Sequence, residues 1–206
     1  MRIAVLGAYG NGKTTLVGQL SRQLGLAPSQ GSAMRDPLGA PPGTALEDCS
    51  PAQLIQLTIR RFVERAAQES VLSPAGFVSD GSVLHEWIYA TVRLTAGCHP
   101  GPEVGPLDPA EALRAAADPF LAVAGQLGLL VKQHAFQGYD LLVHLPAEVP
   151  LPAGPRPINE RFRALSDRLL LDSLAGCALP VHIVSGSLRQ RVDRVRALTT
   201  PGVAAR

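Results

Sequence analysis

The sequence predicts an α/β fold of three layers, a five-stranded parallel sheet with helices on both faces. Three observations point to it. An apolar run opens the chain and leads through a glycine-rich loop into a helix. Short apolar runs then alternate with segments of helical period. Several of those segments begin on a small polar residue followed by proline, or by Glu or Gln two or three places on.

In order, Ile3-Ala4-Val5-Leu6 is the first strand, and a helix runs from about Lys13 to Leu24, stopping at Gly25. Leu26 to Asp48 is rich in Pro and Gly, so a second strand there is short and weakly signalled. Ser50-Pro51-Ala52-Gln53 starts a helix whose apolar face is Ile55, Ile59, Phe62, Val63 and Ala66. Gly76–Ser79 is a strand ending at Asp80, and Val83–Thr95 a helix closed by Gly97. Asp108-Pro109 and Asp118-Pro119 both signal helix starts, the second continuing to about Phe136. Tyr139–Leu145 is a buried strand. After a proline-rich loop, 146–157, come a helix from Asn159 to Ala175, a strand Val181–Val184 and a helix Leu188–Leu198. There is no internal repeat and no domain boundary, so 1–206 reads as one domain.

The first loop carries the sharpest chemistry. Gly7-Ala8-Tyr9-Gly10-Asn11-Gly12-Lys13-Thr14 meets the phosphate-binding pattern G-x-x-x-x-G-K-[ST] at each required position. Its setting between a strand and a helix is the required one. Glycines let backbone N–H groups turn inward around a phosphate chain, and the helix N-terminus adds partial positive charge. Ala8, Tyr9, Gly10, Asn11, Gly12, Lys13, Thr14 and Thr15 are therefore the expected nucleotide-binding residues. Lys13 would reach the β- and γ-phosphates, and Thr14 would hold Mg²⁺. The fold class is thus a three-layer P-loop NTPase.

Composition narrows the alternatives. A net charge of +2 argues against a dedicated nucleic-acid binder. The 3 cysteines, Cys49, Cys98 and Cys177, are odd in number and widely spaced, which suits a reduced chain rather than a disulfide framework. The first strand begins at residue 2, and no apolar run is long enough to span a bilayer. A cytoplasmic protein without membrane or nucleic-acid partners is expected.

A P-loop needs a carboxylate at the end of a neighbouring strand. Asp80 stands there, to organise Mg²⁺ or the nucleophile, although it could instead cap the next helix, as Ser82 could. Asp36, where a second strand should end, is a candidate base or a turn residue before Pro37. The choice of base between Asp36 and Asp80 stays open. Arg156 and Arg161 flank the proline-rich loop and are the favoured arginines for closing over a γ-phosphate, in a lid spanning 146–163. Arg163 and Arg168 are assigned to a solvated helix face. The same bland reading applies to Arg189, Arg191, Arg194 and Arg196, while Ser185-Gly186-Ser187 could present backbone to an adenine ring. Cys98-His99 is a weak metal signal, and His85, His134, His144 and His182 read as packed or edge residues. No N-K-x-D run is present, and Asp36-Pro37-Leu38-Gly39 matches D-x-x-G without a preceding strand, which lowers a GTPase reading.

Taken in order, these segments resemble the ribosylnicotinamide-kinase-like domains, grouped with small AAA-type ATP-binding domains and related to nucleoside and nucleotide kinases. The resemblance rests on residues 7–14, on Phe77-Val78-Ser79-Asp80-Gly81-Ser82 with Tyr89-Ala90, and on Tyr139–Glu148. Arg156 with the helix carrying Phe162, Asp167 and Leu170, and Val184-Ser185-Gly186-Ser187 with Arg191, complete it. The resemblance implies transfer of the ATP γ-phosphate to a hydroxyl of a nucleoside-like or other small molecule, with Mg²⁺ as cofactor. It implies Asp80 at substrate or metal, Arg156 in the lid, and Ser187 and Arg191 on the adenine side. The chain departs from the pattern at Gly81, where related kinases carry Arg, and in lacking a Glu near the second strand. The alternatives are a regulatory or chaperone NTPase acting through a protein partner and, third, a metallochaperone GTPase. Self-association into a homodimer is left open.

Overall fold

β1 (Arg2–Leu6) lies at the centre of a sheet whose strands are all parallel, flanked by β3 (Phe77–Asp80) and β4 (Leu141–His144). β2 (Ala27–Gln30) and β5 (Val181–Ile183) form the edges, giving the order β2-β3-β1-β4-β5. The structure, a computed structural model, describes residues 1–31, 37–101, 118–154 and 156–200. Asp36 and the helix start expected at Asp108 lie outside those residues.

The chain leaves β1 toward β2 and β3 on one side, then crosses to β4 and β5 on the other. The reversal opens a crevice at the carboxyl end of β1, where ligands of open α/β sheets bind. Alternate residues of each strand feed two cores. Ile3, Val5, Val78 and Val143 pack against Leu16, Val17 and Leu20 of α1 (Lys13–Leu24) and Val192 and Val195 of α6 (Leu188–Thr199). Ala4, Leu6, Phe77 and Leu142 pack on the opposite face. Their partners come from α3 (Val83–Ala96), α4 (Pro119–Gly138) and α5 (Glu160–Leu174), and include Trp87, Ile88, Val131, Phe162 and Leu170. The sheet is thus covered on both faces, as near-continuous apolar strands require.

The helix starts are locally encoded. Ser50 caps α2 (Pro51–Leu72) in a reciprocal capping box with Gln53. Asp118 accepts from Phe120 N–H at 2.7 Å, and Asn159 from Phe162 N–H at 2.9 Å. Gly25 and Gly97 close α1 and α3 with positive φ. Close approach of α3 and α4 requires another glycine: a Cβ on Gly128 would sit 2.5 Å from Trp87 Cζ2.

α2 departs from expectation. Ile59 is 43% and Val63 56% exposed, whereas the buried stripe is Leu54, Thr58, Arg65 and Glu69. The two stripes are offset by one residue, about 100° of helical rotation. The polar stripe wins because the ends of β2 and β3 offer it partners, described below.

Candidate active site

Three backbone turns with positive φ, at Gly7, Gly10 and Gly12, fold the loop after β1 into a cradle. Glycine is obligatory at residue 7, since a Cβ there would meet Leu145 O at 2.5 Å. Gly12 occupies the N-cap of α1 and can offer no side-chain acceptor, which leaves the first N–H groups of the helix for an anion. Lys13 Nζ donates to Ala8 O at 2.8 Å. Enclosure of its ammonium lowers the pKa to about 8, against the opposing attraction of Asp80. Thr14 donates to Asp80 Oδ2 at 2.5 Å, so hydroxyl and carboxylate stand side by side at the end of β3. Ser82, not Asp80, caps α3.

His85, on the first turn of α3, supports the cradle from beneath. Its Nδ1 lies 3.1 Å from the Ser82 N–H and accepts from it; Nε2 therefore carries the proton and donates to Gly7 O at 3.0 Å. Burial, together with Lys13 and Arg65, keeps the ring neutral well below its ordinary pKa.

Two arginines fasten the cradle from the far end of the chain. Arg163, expected on a solvated face, is 3% exposed and donates to Asn11 Oδ1 through Nη2 at 2.5 Å and to Val149 O at 2.8 Å. Asn11 in turn donates to Leu145 O at 2.7 Å. The loop at Val149 and the P-loop at Asn11 lie against α5, so the helix face carrying Arg163 is interior. Arg191 donates to Asn11 O at 2.8 Å and to Glu148 at 2.6 Å, and Glu148 accepts from Gly186 N–H. The Arg191 guanidinium and that N–H hold the Glu148 carboxyl below its usual range. These residues, with Thr15 and Leu188, line a cleft of ≈ 560 Å³ beside the loop.

On its other side the cradle opens into a cavity of ≈ 630 Å³. Lys13, Thr14 and Asp80 stand at one end; Arg61, Glu86, Tyr89, Arg93 and Phe162 wall the remainder. Tyr89 and Phe162 lie 6.0 Å apart between ring centroids, and the Arg93 guanidinium sits 5.0 Å over the Phe162 ring. Below them runs a buried polar network. Arg65 donates to Glu86 Oε1 at 3.1 Å, to Ser79 Oγ at 3.0 Å and to Asp80 O at 3.2 Å. Glu69 receives Ser79 Oγ at 2.5 Å and the Tyr139 hydroxyl at 2.9 Å. Each of these charges is paired, as burial demands.

A family model described as AAA domain matches residues 2–191. The chain belongs to the AAA domain family. No curated protein sequence resembles it closely enough to count as a relative. Among solved structures, this AAA domain is similar to deoxyadenosine kinase from M. mycoides with bound dATP. The TM-score is 0.61 and the identity 14%, over 97% of this chain and 100% of that one. The same kinase with products dCMP and dCDP bound gives 0.60 at 13% identity, covering 96% and 98%. The similarity shows the P-loop kinase fold.

Within this AAA domain, Tyr9, Gly10, Gly12, Lys13, Thr14, Thr15 and Asp80 line one cavity, Asn11 lines the cleft beside it, and Ala8 accepts from Lys13. Ser187 caps α6 through Gln190, and Arg191 meets the P-loop rather than solvent. Arg156 and Arg161 are not among the described residues that wall either cavity. Arg156 instead lies near Glu160, whose carboxyl is held down chiefly by the Leu151 N–H and to a smaller extent by Arg163 and Arg156. Cys98 Sγ faces Arg93 Nε at 3.2 Å and His99 lies 3.8 Å from Glu47; the described residues hold no cluster of three or more His, Cys, Asp or Glu able to bind a metal ion. No helix among them is long and apolar enough to cross a membrane. Sequence reasoning missed Arg65, Glu69, Glu86 and Arg93. The one local signal was the i,i+4 pair Arg65–Glu69 in line with Leu54 and Thr58, on a face otherwise buried.

Proposed function

We propose that the protein is an ATP-dependent phosphotransferase that delivers the γ-phosphate to a hydroxyl of a nucleoside-like small molecule. The observation that carries this reading is the single cavity shared by the phosphate cradle and by an aromatic, charged compartment large enough for an acceptor. A hydrolase has no need of that second compartment. The deoxyadenosine kinase fold supports the same reading.

In this reading the triphosphate lies along the Gly7–Thr14 backbone N–H groups, with Lys13 at its outer phosphates and the base in the cleft beside Leu188 and Arg191. The oxygen pair Thr14 and Asp80 fits a hard cation such as Mg²⁺, which keeps most of its water and neutralises phosphate charge when bound. Tyr89 and Phe162 flank a planar ring on the acceptor and exclude water, so that transfer outruns hydrolysis. His85 and Arg163 hold the loop in register throughout.

The test is incubation with ATP and Mg²⁺ against a panel of nucleosides and related hydroxyl compounds, reading phosphorylated product by mass spectrometry. Product with at least one nucleoside, absent in Lys13→Ala, is the expected result. ATP consumed without product across the panel, at a rate raised by a protein partner, overturns the proposal.

A further inference from the structure

The carboxylate expected at the end of β2 is missing from the described end of that strand: residue 31 is glycine. So is the arginine expected after Asp80, where Gly81 stands. The space left at both positions is filled from elsewhere. A Cβ on Gly31 would overlap Arg65 Nη2 and lie 2.8 Å from Glu86 Oε1, and one on Gly81 would lie 3.7 Å from Arg65 Nη2. The guanidinium of α2 and the carboxylate of α3 thus occupy the place between the two strand ends.

We propose that Glu86 is the catalytic carboxylate of the transfer, orienting the acceptor hydroxyl and taking its proton. This rests on the phosphotransferase reading above and deepens it. Glu86 is 8% exposed, yet its side chain lines the same cavity as Lys13, Thr14 and Asp80. Arg65 fixes Oε1 through Nε at 3.3 Å and Nη2 at 3.1 Å. Oε2 forms only a looser ion pair with Arg61 Nη1, at 4.0 Å, too long for a hydrogen bond. Arg65 is already matched by Glu69 at 3.7 Å, by Ser79 and by the Asp80 carbonyl, so neutralising Arg65 does not by itself require Glu86. The Asp80 carbonyl and Glu86 Oε1 bind the same Arg65 nitrogen, which ties this carboxylate to the strand end carrying the phosphate-side Asp80. As the acceptor oxygen bonds to the γ-phosphorus, the bond from that phosphorus to the β,γ-bridging oxygen breaks and ADP leaves. The hydroxyl proton passes to Glu86 Oε2 and from there to water.

The experiment compares wild type, Glu86→Gln and Asp36→Asn with the acceptor found in the nucleoside panel. For Glu86→Gln the expected result is a kcat lowered about 100-fold or more, the scale of general-base catalysis. ATP affinity and the unfolding midpoint should stay near wild type. Should Glu86→Gln not fold, Glu86→Asp keeps the buried charge opposite Arg65 and should still lower kcat at least about 10-fold by withdrawing the carboxylate. A kcat within about 3-fold of wild type overturns the inference, as does a loss matched by equal losses of ATP affinity and stability. Asp36→Asn abolishing turnover while Glu86→Gln does not also overturns it. A wild type that phosphorylates and binds no panel member brings down the function and this inference together; one that phosphorylates while Glu86→Gln does so equally brings down this inference alone.

Discussion

The P-loop lysine is held at a cost that pH can relieve. Burial draws the Lys13 pKa from 10.5 to about 8, with Asp80 opposing the change. Below pH 8 the group is protonated in both folded and unfolded chains, and the penalty for enclosing its charge is present in full. Between about 8 and 10.5 the folded chain gives up a proton that the unfolded chain keeps. Stability from this group therefore rises with pH across that window. Over roughly 2.5 pH units, at ~1.4 kcal/mol each, the relief comes to about 3 kcal/mol. Lys13→Met keeps the length of the side chain without its charge and removes the penalty at every pH. It also removes the hydrogen bond to Ala8 O, worth about 1 kcal/mol. The variant should be more stable than wild type by about 2 kcal/mol at pH 7, an advantage that shrinks as pH approaches 10. Urea unfolding of both proteins without nucleotide, at pH 7 to 10, reads the difference directly. The difference also cancels what the other titratable groups contribute, including Lys132, whose pKa burial lowers. Parallel stability curves, or a variant less stable at pH 7, would refute the reasoning.

Three further outcomes follow. A bound triphosphate favours the charged lysine, so ATP binding near pH 9 should take up close to one proton. Calorimetry in buffers of different ionisation enthalpy reads this, and no buffer dependence at pH 9 counts against it. Gly128→Ala should destabilise by about 1–3 kcal/mol, because Trp87 is 2% exposed, is pinned by its Nε1–H donated to Ala124 O at 2.7 Å, and cannot yield; an unchanged denaturant midpoint would contradict the packing. Gly31→Ala should cost about 1–3 kcal/mol by crowding the buried Arg65 guanidinium and Glu86, and its thermal midpoint should fall below that of Gly18→Ala, where a Cβ meets nothing within 4 Å.

What could be read in the sequence was local. The P-loop, the capping residues Ser50, Asp118 and Asn159 and the apolar runs of β1 and β4 depend on neighbours within a few residues, and the structure places them as expected. β2 is different. Ala27-Pro28-Ser29-Gln30 has little β-propensity and is a strand because it pairs with β3. The polar network beneath the larger cavity is hidden from the sequence for a related reason. Apolar periodicity selects Ile59 and Val63 on α2, whereas the buried face is built from Arg65 and Glu69, whose partners lie on β2, β3 and α3 and before β4. Arg163 is interior for the same kind of reason, since only the folded loop at Val149 and the P-loop Asn11 cover its helix face.

The clasp of Arg191 on Asn11 spans 180 residues of chain. During synthesis the glycine loop leaves the ribosome before Arg191, and at about 5–20 residues per second this fastening follows roughly 10–40 seconds later. A nascent chain halted before α6 holds every strand of the sheet but lacks both the Arg191 contact and the Leu188 wall of the cleft. Nucleotide capture should therefore await α6, and ATP added to stalled chains should protect them from proteolysis only once that helix has emerged.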